Sequence, residues 1–215
     1  MAHTSSERSR GRPRLEKSDD LRRAFLDAAV ELFGARGFDG VSLSQIATEV
    51  GADVALTRYY FGSKHEVWIA AINHLISQIE EGLGGTTPTP GSSNSAQLKD
   101  AIRDFIAMSA KWPQLSRIIV FDGDKIDERG KYIAQRVVQP FYKRLSKLIR
   151  GAKKEGTIPN VSERTLFFMI THGGSFPMAI SALTNSFPGG DITTPKAVKA
   201  HGDAIVELIF HTSAK

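Results

Sequence analysis

The sequence predicts an all-α protein of about nine helices, with a three-helix N-terminal unit ahead of a longer helical region. Three observations predict it. Apolar residues recur at helical spacing through most of the 215 residues. No run alternates apolar and polar as a half-buried strand does. Small polar caps and glycines stand where each periodic run begins and ends. The hydrophobic share, 41%, is enough for a packed core.

Residues 1–17 are polar, basic and aperiodic, and read as a disordered arm. The first helix is expected from about residue 18, capped by Ser18 or Asp19. Phe25, Ala28, Ala29, Leu32 and Phe33 lie on its inner face, and Gly37 ends it. Ser42 and Gln45 form a capping box for a second, short helix whose apolar stripe is Leu43, Ile46, Ala47 and Val50. Gly51 breaks it. Asp53 caps a third helix from Val54 to about Tyr60, and Ser63 with Glu66 opens a fourth that runs to about Gly82. Residues 84–95, rich in Gly, Thr, Pro and Ser, are expected to be a loop. Helical patterns resume over about 96–111, 113–122, 127–155, 162–186 and 195–212. Pro140 should kink the 127–155 stretch or mark a true start within it. His172-Gly173-Gly174, followed by Pro177, should interrupt the 162–186 stretch. Thr194-Pro195 is a start signal.

Net charge is +5. Nucleic acid is a natural partner for such a chain, although residues 1–65 carry ten Lys/Arg against nine Asp/Glu. Local pattern says more. Arg8, Arg10, Arg12 and Arg14 fall within seven residues with no acid between them. The absence of cysteine excludes disulfides and thiolate metal sites. No apolar run approaches the ~18–20 residues that span a bilayer, and the N-terminus lacks the apolar core of a signal peptide. A cytoplasmic protein with no membrane partner is expected.

Residues 42–61 meet the requirements of a helix-turn-helix. A small residue, Ala47, permits the close crossing, and Gly51, four residues on, permits the tight turn. Ile46, Val50 and Phe61 tie the pair to a third helix. The second helix of such a pair lies in the major groove with its N-terminal side chains at base edges.

Around this pair stand three longer runs: Ala-Ala-Val-Glu-Leu-Phe-Gly-Ala-Arg-Gly-Phe at 28–38, Val-Ser-Leu-Ser-Gln-Ile-Ala-Thr-Glu-Val-Gly at 41–51, and Tyr-Tyr-Phe-Gly-Ser-Lys-His-Glu-Val at 59–67. With them the stretch Phe25–Ile72 resembles the N-terminal domain of the TetR family of bacterial transcriptional regulators. The later helices agree with that family in number and length only. The resemblance implies a helix-turn-helix domain over 18–64 and a ligand-binding and dimerisation domain over 65–215. It implies phosphate contacts from Ser42, Ser44, Tyr59, Tyr60 and Lys64, and base readout from Val54, Ala55 and Arg58. Residues 54, 55 and 58 also share one helical face. Arg58 is suited to a bidentate pair with guanine, at roughly 1–3 kcal/mol of discrimination. Two positions depart from the family, which usually has an aliphatic residue at 57 and often tyrosine at 58. Thr57 is therefore expected to be partly exposed and is counted with the DNA-facing residues, and the operator is expected to differ from commoner ones.

The arm reads Arg-Gly-Arg-Pro-Arg at 10–14. Gly-Arg-Pro is the centre of the AT-hook pattern. Either Arg10, Arg12 and Arg14 enter a narrow A·T-rich minor groove, or the arm is a basic tail that raises non-specific affinity through phosphates.

The resemblance further implies an effector cavity and a dimer formed by the 162–186 and 195–212 helices. Ala197, His201, Ala204, Ile205, Leu208 and Ile209 share a stripe on the latter. Candidates for the cavity wall by position are Phe105, Met108, Phe121, Phe141, Phe168, His172 and Phe176, each of which also reads as ordinary core. The expected protein is a regulator, a repressor foremost, that binds a palindromic double-stranded operator as a homodimer and is released by a small, mostly apolar effector. An activator or a ligand-independent DNA-binding protein of the same fold is the alternative.

Enzyme readings lack their parts. His172-Gly173-Gly174-Ser175 resembles an esterase oxyanion loop, but the Gly-x-Ser-x-Gly elbow is missing. Asp122-Gly123-Asp124 suggests calcium, but Ile126 and Asp127 stand where a ligand and a glycine are needed. The histidines show no zinc spacing. No catalytic residue, metal or cofactor is expected.

Overall fold

The computed structural model describes residues 14–82 and 91–210, and every regular element among them is helical. In chain order these are α1 (Arg14–Arg36), α2 (Leu43–Glu49), α3 (Val54–Phe61), α4 (Lys64–Gly82), α5 (Asn94–Lys111) and α6 (Pro113–Asp122). There follow α7 (Glu128–Tyr132), a π-helical segment (Ile133–Val138), α8 (Gln139–Lys154), α9 (Glu163–Ala179), the single turn α10 (Ser181–Thr184) and α11 (Pro195–Phe210). No helix is long and apolar enough to cross a membrane among the described residues.

The N-terminal elements follow their local signals. Ser42 Oγ accepts from the Gln45 amide at 3.2 Å while the Ser42 amide donates to Gln45 Oε1 at 2.7 Å, so both ends of the capping box close. Asp53 caps α3 through the Ala55 amide at 2.7 Å. Ser63 and Glu66 repeat the reciprocal pattern at the start of α4. Gly51 turns the chain between α2 and α3 at φ 65°, a conformation that glycine adopts without Cβ strain.

Three boundaries differ from the pattern reading. Helix α1 opens at Arg14, so residues 14–17 join the helix instead of the arm, and Ser18 lies inside it. The 127–155 stretch is divided. Pro140 has no amide for an i−4 bond, and its ring excludes the Arg136 carbonyl from an ordinary turn. The chain widens to a π-helical turn just ahead of it and places Pro140 in the first turn of α8. Conversely, His172-Gly173-Gly174 does not interrupt α9, which runs unbroken to Ala179. Glycine stands at 174 for another reason: a Cβ there would lie 2.9 Å from Ile106 Cγ1, so its absence lets α9 approach α5.

Two cores result. The first joins α1–α4 with Ile118 of α6 and Ile133 of the π segment, around the fully buried Phe25, Phe33 and Trp68. The second joins α5, α8, α9 and α11 around Leu98, Ile102, Ile106, Leu145, Ile149 and Ile170. Helix α11 faces it with Gly202, Val206 and Ile209. Of the stripe expected on that helix, only Ile209 is buried. Ala204 and Leu208 point to solvent, because Val206 and not Leu208 completes the inward face.

Candidate functional site

The α2–turn–α3 unit presents a defined outer surface. Residues 54, 57 and 61 turn inward at i, i+3 and i+7, which leaves Ala55, Leu56, Arg58 and Tyr59 outward. Tyr59 is 81% exposed. Ser42 and Ser44 are exposed at the head of α2. Val54 is half-buried against the first core. Tyr60 is half-buried, its ring 6.0 Å from that of Phe25 and its hydroxyl hydrogen-bonded to Ser18 Oγ at 3.1 Å. Lys64 holds its Nζ 4.2 Å from the Phe38 ring centroid, which orients the cation at the start of α4.

Thr57 corrects an expectation. It is fully buried, not partly exposed, and cannot reach DNA. It fills the aliphatic slot between the helices with its methyl group, and its Oγ1 has no hydrogen-bond partner. Leu56, 38% exposed on the outer face, is the residue the pattern reading passed over. Its signal was available: with 54, 57 and 61 inward, 56 must face out. Arg10 and Arg12 lie outside the described residues, and Arg14 opens α1 instead of extending along a groove.

Below this unit, α4, α5, α6, the π segment, α8 and α9 surround a cavity of about 450 Å³. That size suits a small-molecule ligand. Phe105, Met108, Phe141, Phe168, His172 and Phe176 all line it, as their positions suggested. Phe121 does not. Its ring packs over Gly37, 3.1 Å from where a Cβ there would stand, because the end of α6 turns toward α1. The Phe105 and Phe141 rings stack at 5.1 Å. Thr171 and Ser175 spend their hydroxyls on carbonyls of their own helix, at 2.9 and 2.6 Å. The charged groups of the wall, none found from sequence, are Glu80, Asp104, Arg136 and Arg144. Burial, reinforced by Asp100, pushes the Asp104 carboxyl above its ordinary value, and Arg144 opposes the shift. These charged residues read as surface in the sequence, where nothing marks the wall of a hollow.

One helix connects the two regions. Leu115, Ser116, Ile119 and Val120 of α6 line the cavity, and the helix ends at the buried Asp122. Arg129, at the start of α7, donates to Asp122 Oδ1 at 3.1 Å, to Asp127 Oδ2 at 3.1 Å and to Asp39 Oδ1 at 3.3 Å. Its guanidinium lies 4.3 Å from the Phe38 centroid. Trp68 of α4 donates to the other oxygen of Asp122 at 3.3 Å. Burial pushes the Asp122 carboxyl up while Arg129 and Trp68 hold it down. Burial also disfavours the Arg129 cation, but its three carboxylates prevail and raise its pKa. The cavity wall is thereby fastened to the turn between α1 and α2. Among the described residues no group of His, Asp and Glu could hold a metal ion.

Residues 25–71 match the family described as bacterial regulatory proteins, tetR family. The HTH-type transcriptional regulator BetI of Brucella anthropi is 36% identical over 81 residues, which are 36% of this chain and 42% of that protein. BetI of Rhizobium meliloti is 35% identical over 69 residues, 32% of this chain and 34% of the relative. The chain thus matches less than half the length of these relatives. Whole-chain similarity is structural. FadR of Bacillus subtilis, solved with stearoyl-CoA, superposes with a TM-score of 0.61 at 15% identity, over 90% of this chain and 100% of that one. A protein of Saccharomonospora viridis described as a transcriptional regulator, solved with choline, gives 0.66 at 16%, over 92% and 99%. These likenesses show the fold.

Proposed function

We propose that this chain, which belongs to the tetR family of bacterial regulatory proteins, is a cytoplasmic transcriptional repressor that binds a palindromic operator as a homodimer and is released by a small effector. The observation that carries the reading is α6, one helix that walls the cavity at one end and is fastened to the α1–α2 turn at the other. A ligand that displaces α6 has a direct path to the DNA-facing helices. That two structural neighbours hold choline and stearoyl-CoA supports a small-molecule effector.

The outer face of α3 reads the major groove through Ala55, Leu56, Arg58 and Tyr59, while Ser42, Ser44 and Lys64 meet phosphates. Dimerisation uses the exposed apolar faces of α9 and α11. Met169 is 60% exposed and Leu208 72%, more apolar surface than a lone helix pair keeps in water. Two-fold pairing places two α3 helices on successive half-sites.

The test is fluorescence anisotropy of the full chain on DNA from upstream of its own gene. Binding is expected to saturate at one or more dimers per site. Arg58→Ala should weaken it roughly 5- to 160-fold, the equivalent of ~1–3 kcal/mol for a bidentate base contact. No binding to any such fragment at low salt overturns the reading.

A further inference from the structure

The charges around the cavity mouth, together with its apolar interior, point to the chemical class of the effector, an inference that rests on the cavity being the effector site. We propose that the cavity takes an amphipathic anion: a long acyl chain lodged among Phe105, Phe141, Phe168 and Phe176, with its anionic head held by Arg136 and Arg144.

The interior sets the tail. Its volume of about 450 Å³ falls within the ~300–1,000 Å³ of ordinary ligand pockets, room for a ligand with an extended apolar part. The hydroxyls of Thr171 and Ser175 are engaged with their own helix, so the aromatic wall offers few free polar groups to a polar ligand.

The mouth sets the head. Arg136 and Arg144 line the cavity and are exposed, as are the lining residues Phe168 and Phe176. Neither makes an ion pair within hydrogen-bond reach among the described residues. The π-helical segment contributes Arg136, Val137 and Val138 to the cavity lining. Beyond the mouth the same charge continues. Residues 139–154 carry six Lys/Arg and no Asp or Glu, and Lys143 and Lys147 are exposed beside Arg144. Such a face raises the local concentration of anions.

A cationic ligand is the competitor, because Glu80 and Asp104 also belong to the wall. Glu80 is exposed like the two arginines, so the lining itself holds two acids and two bases. Burial raises the Asp104 pKa and Arg144 lowers it. The excess of positive charge comes from residues 139–154, which carry six Lys/Arg and no acid.

Calorimetric titration of the full chain with laurate, lauroyl-CoA and dodecyltrimethylammonium, each below its micellar concentration, tests this. At least one of the two anions should bind at least tenfold more tightly than the cation. Arg136→Glu with Arg144→Glu should weaken the anion at least tenfold and narrow or invert the preference. Both arginines are exposed, and a thermal melt checks that the double variant folds. If it does not, Arg136→Gln with Arg144→Gln carries the test. Laurate bound as tightly as lauroyl-CoA identifies the carboxylate as the head. Lauroyl-CoA bound alone identifies the phosphates, and Lys143→Glu with Lys147→Glu should then weaken it; both results support the proposal. Equal or tighter binding of dodecyltrimethylammonium, no binding of any of the three, or full anion affinity in a folded double variant overturns it. Operator binding by the ligand-free protein is measured separately, so failure of the ligand class leaves a result distinct from failure of the regulator reading.

Discussion

The two cores of this protein are built on different principles. Around α2 and α3 every turn is short, each helix start is capped by its own neighbours, and the apolar residues close on each other. Around the cavity, α8 begins from a π-helical turn, α9 passes α5 through a glycine, and large apolar side chains are left facing solvent. A surface that must match a fixed DNA groove gains from rigidity. A chamber proposed to sense a ligand needs elements with more than one arrangement. The contrast can be broken or sharpened experimentally.

The largest effect is expected at the joint. Arg129→Ala leaves Asp122 buried without its cation, beside a tryptophan that offers one weak hydrogen bond. Removing one partner of a buried pair destabilises by about 3 kcal/mol. Urea unfolding monitored by circular dichroism should show that loss. If the two cores depend on each other through this joint, the variant should also bind operator DNA less tightly. Unchanged stability would mean that the cores are independent.

A smaller effect is expected inside the second core. Gly174→Val puts a branched side chain where a single Cβ already meets Ile106 at 2.9 Å. Overpacking of this kind destabilises by about 2 kcal/mol. The same substitution should leave the DNA-binding unit intact, so amide exchange in α1–α3 should keep its protection.

Smaller again is Thr57→Val, and its sign is opposite. The side chain is fully buried and its hydroxyl is unpartnered. An isosteric methyl removes that penalty and should stabilise the first core by about 1 kcal/mol. Operator affinity should not change, since nothing of Thr57 reaches the surface. A loss of affinity on equal folding would return residue 57 to the DNA-facing set.

These differences also explain what the sequence made legible. Capping boxes at Ser42 and Ser63 are local, spanning three residues, and were readable directly. Six of the seven candidates picked by position line the cavity. Phe121 fails the same test because nothing local says that α6 changes its neighbour before its end. Thr57 was misread because a polar side chain in a recognition helix suggests exposure, while its register places it inside; register decided. Gly174 looked like part of a break because its partner, Ile106, is 68 residues away. The Arg129 joint gathers residues 39, 122, 127 and 129, charges that individually read as solvated surface.

The smallest effect lies at the far end of the second core, where Glu155 caps α5. Its carboxylate accepts from Ser95 Oγ, from Asn94 Nδ2 at 2.9 Å, and from the amides of Asn94 and Ser95 at 2.8 and 3.0 Å. The Ser95 hydroxyl first, then the Asn94 side chain, lower its pKa from 4.5 to about 2. A depressed carboxylate contributes stability that is fully present above its unfolded value and is lost as pH falls through the folded one. Glu155→Gln should therefore melt below the parent at pH 6, and the gap should close between about pH 4.5 and 2. Glu155 sits at the surface, so solvent and salt screen the interaction, and added salt should shrink the gap. The same substitution tests the contrast between the cores. Helix α5 has a local cap as well, Ser93 Oγ accepting from the Ala96 amide at 3.1 Å much as Ser42 does for α2, and Glu155 adds to it a long-range tie between residues 94 and 155. A gap that ignores pH would show that Glu155 acts through its shape alone, and the second core would then lack the charge-dependent tie described here.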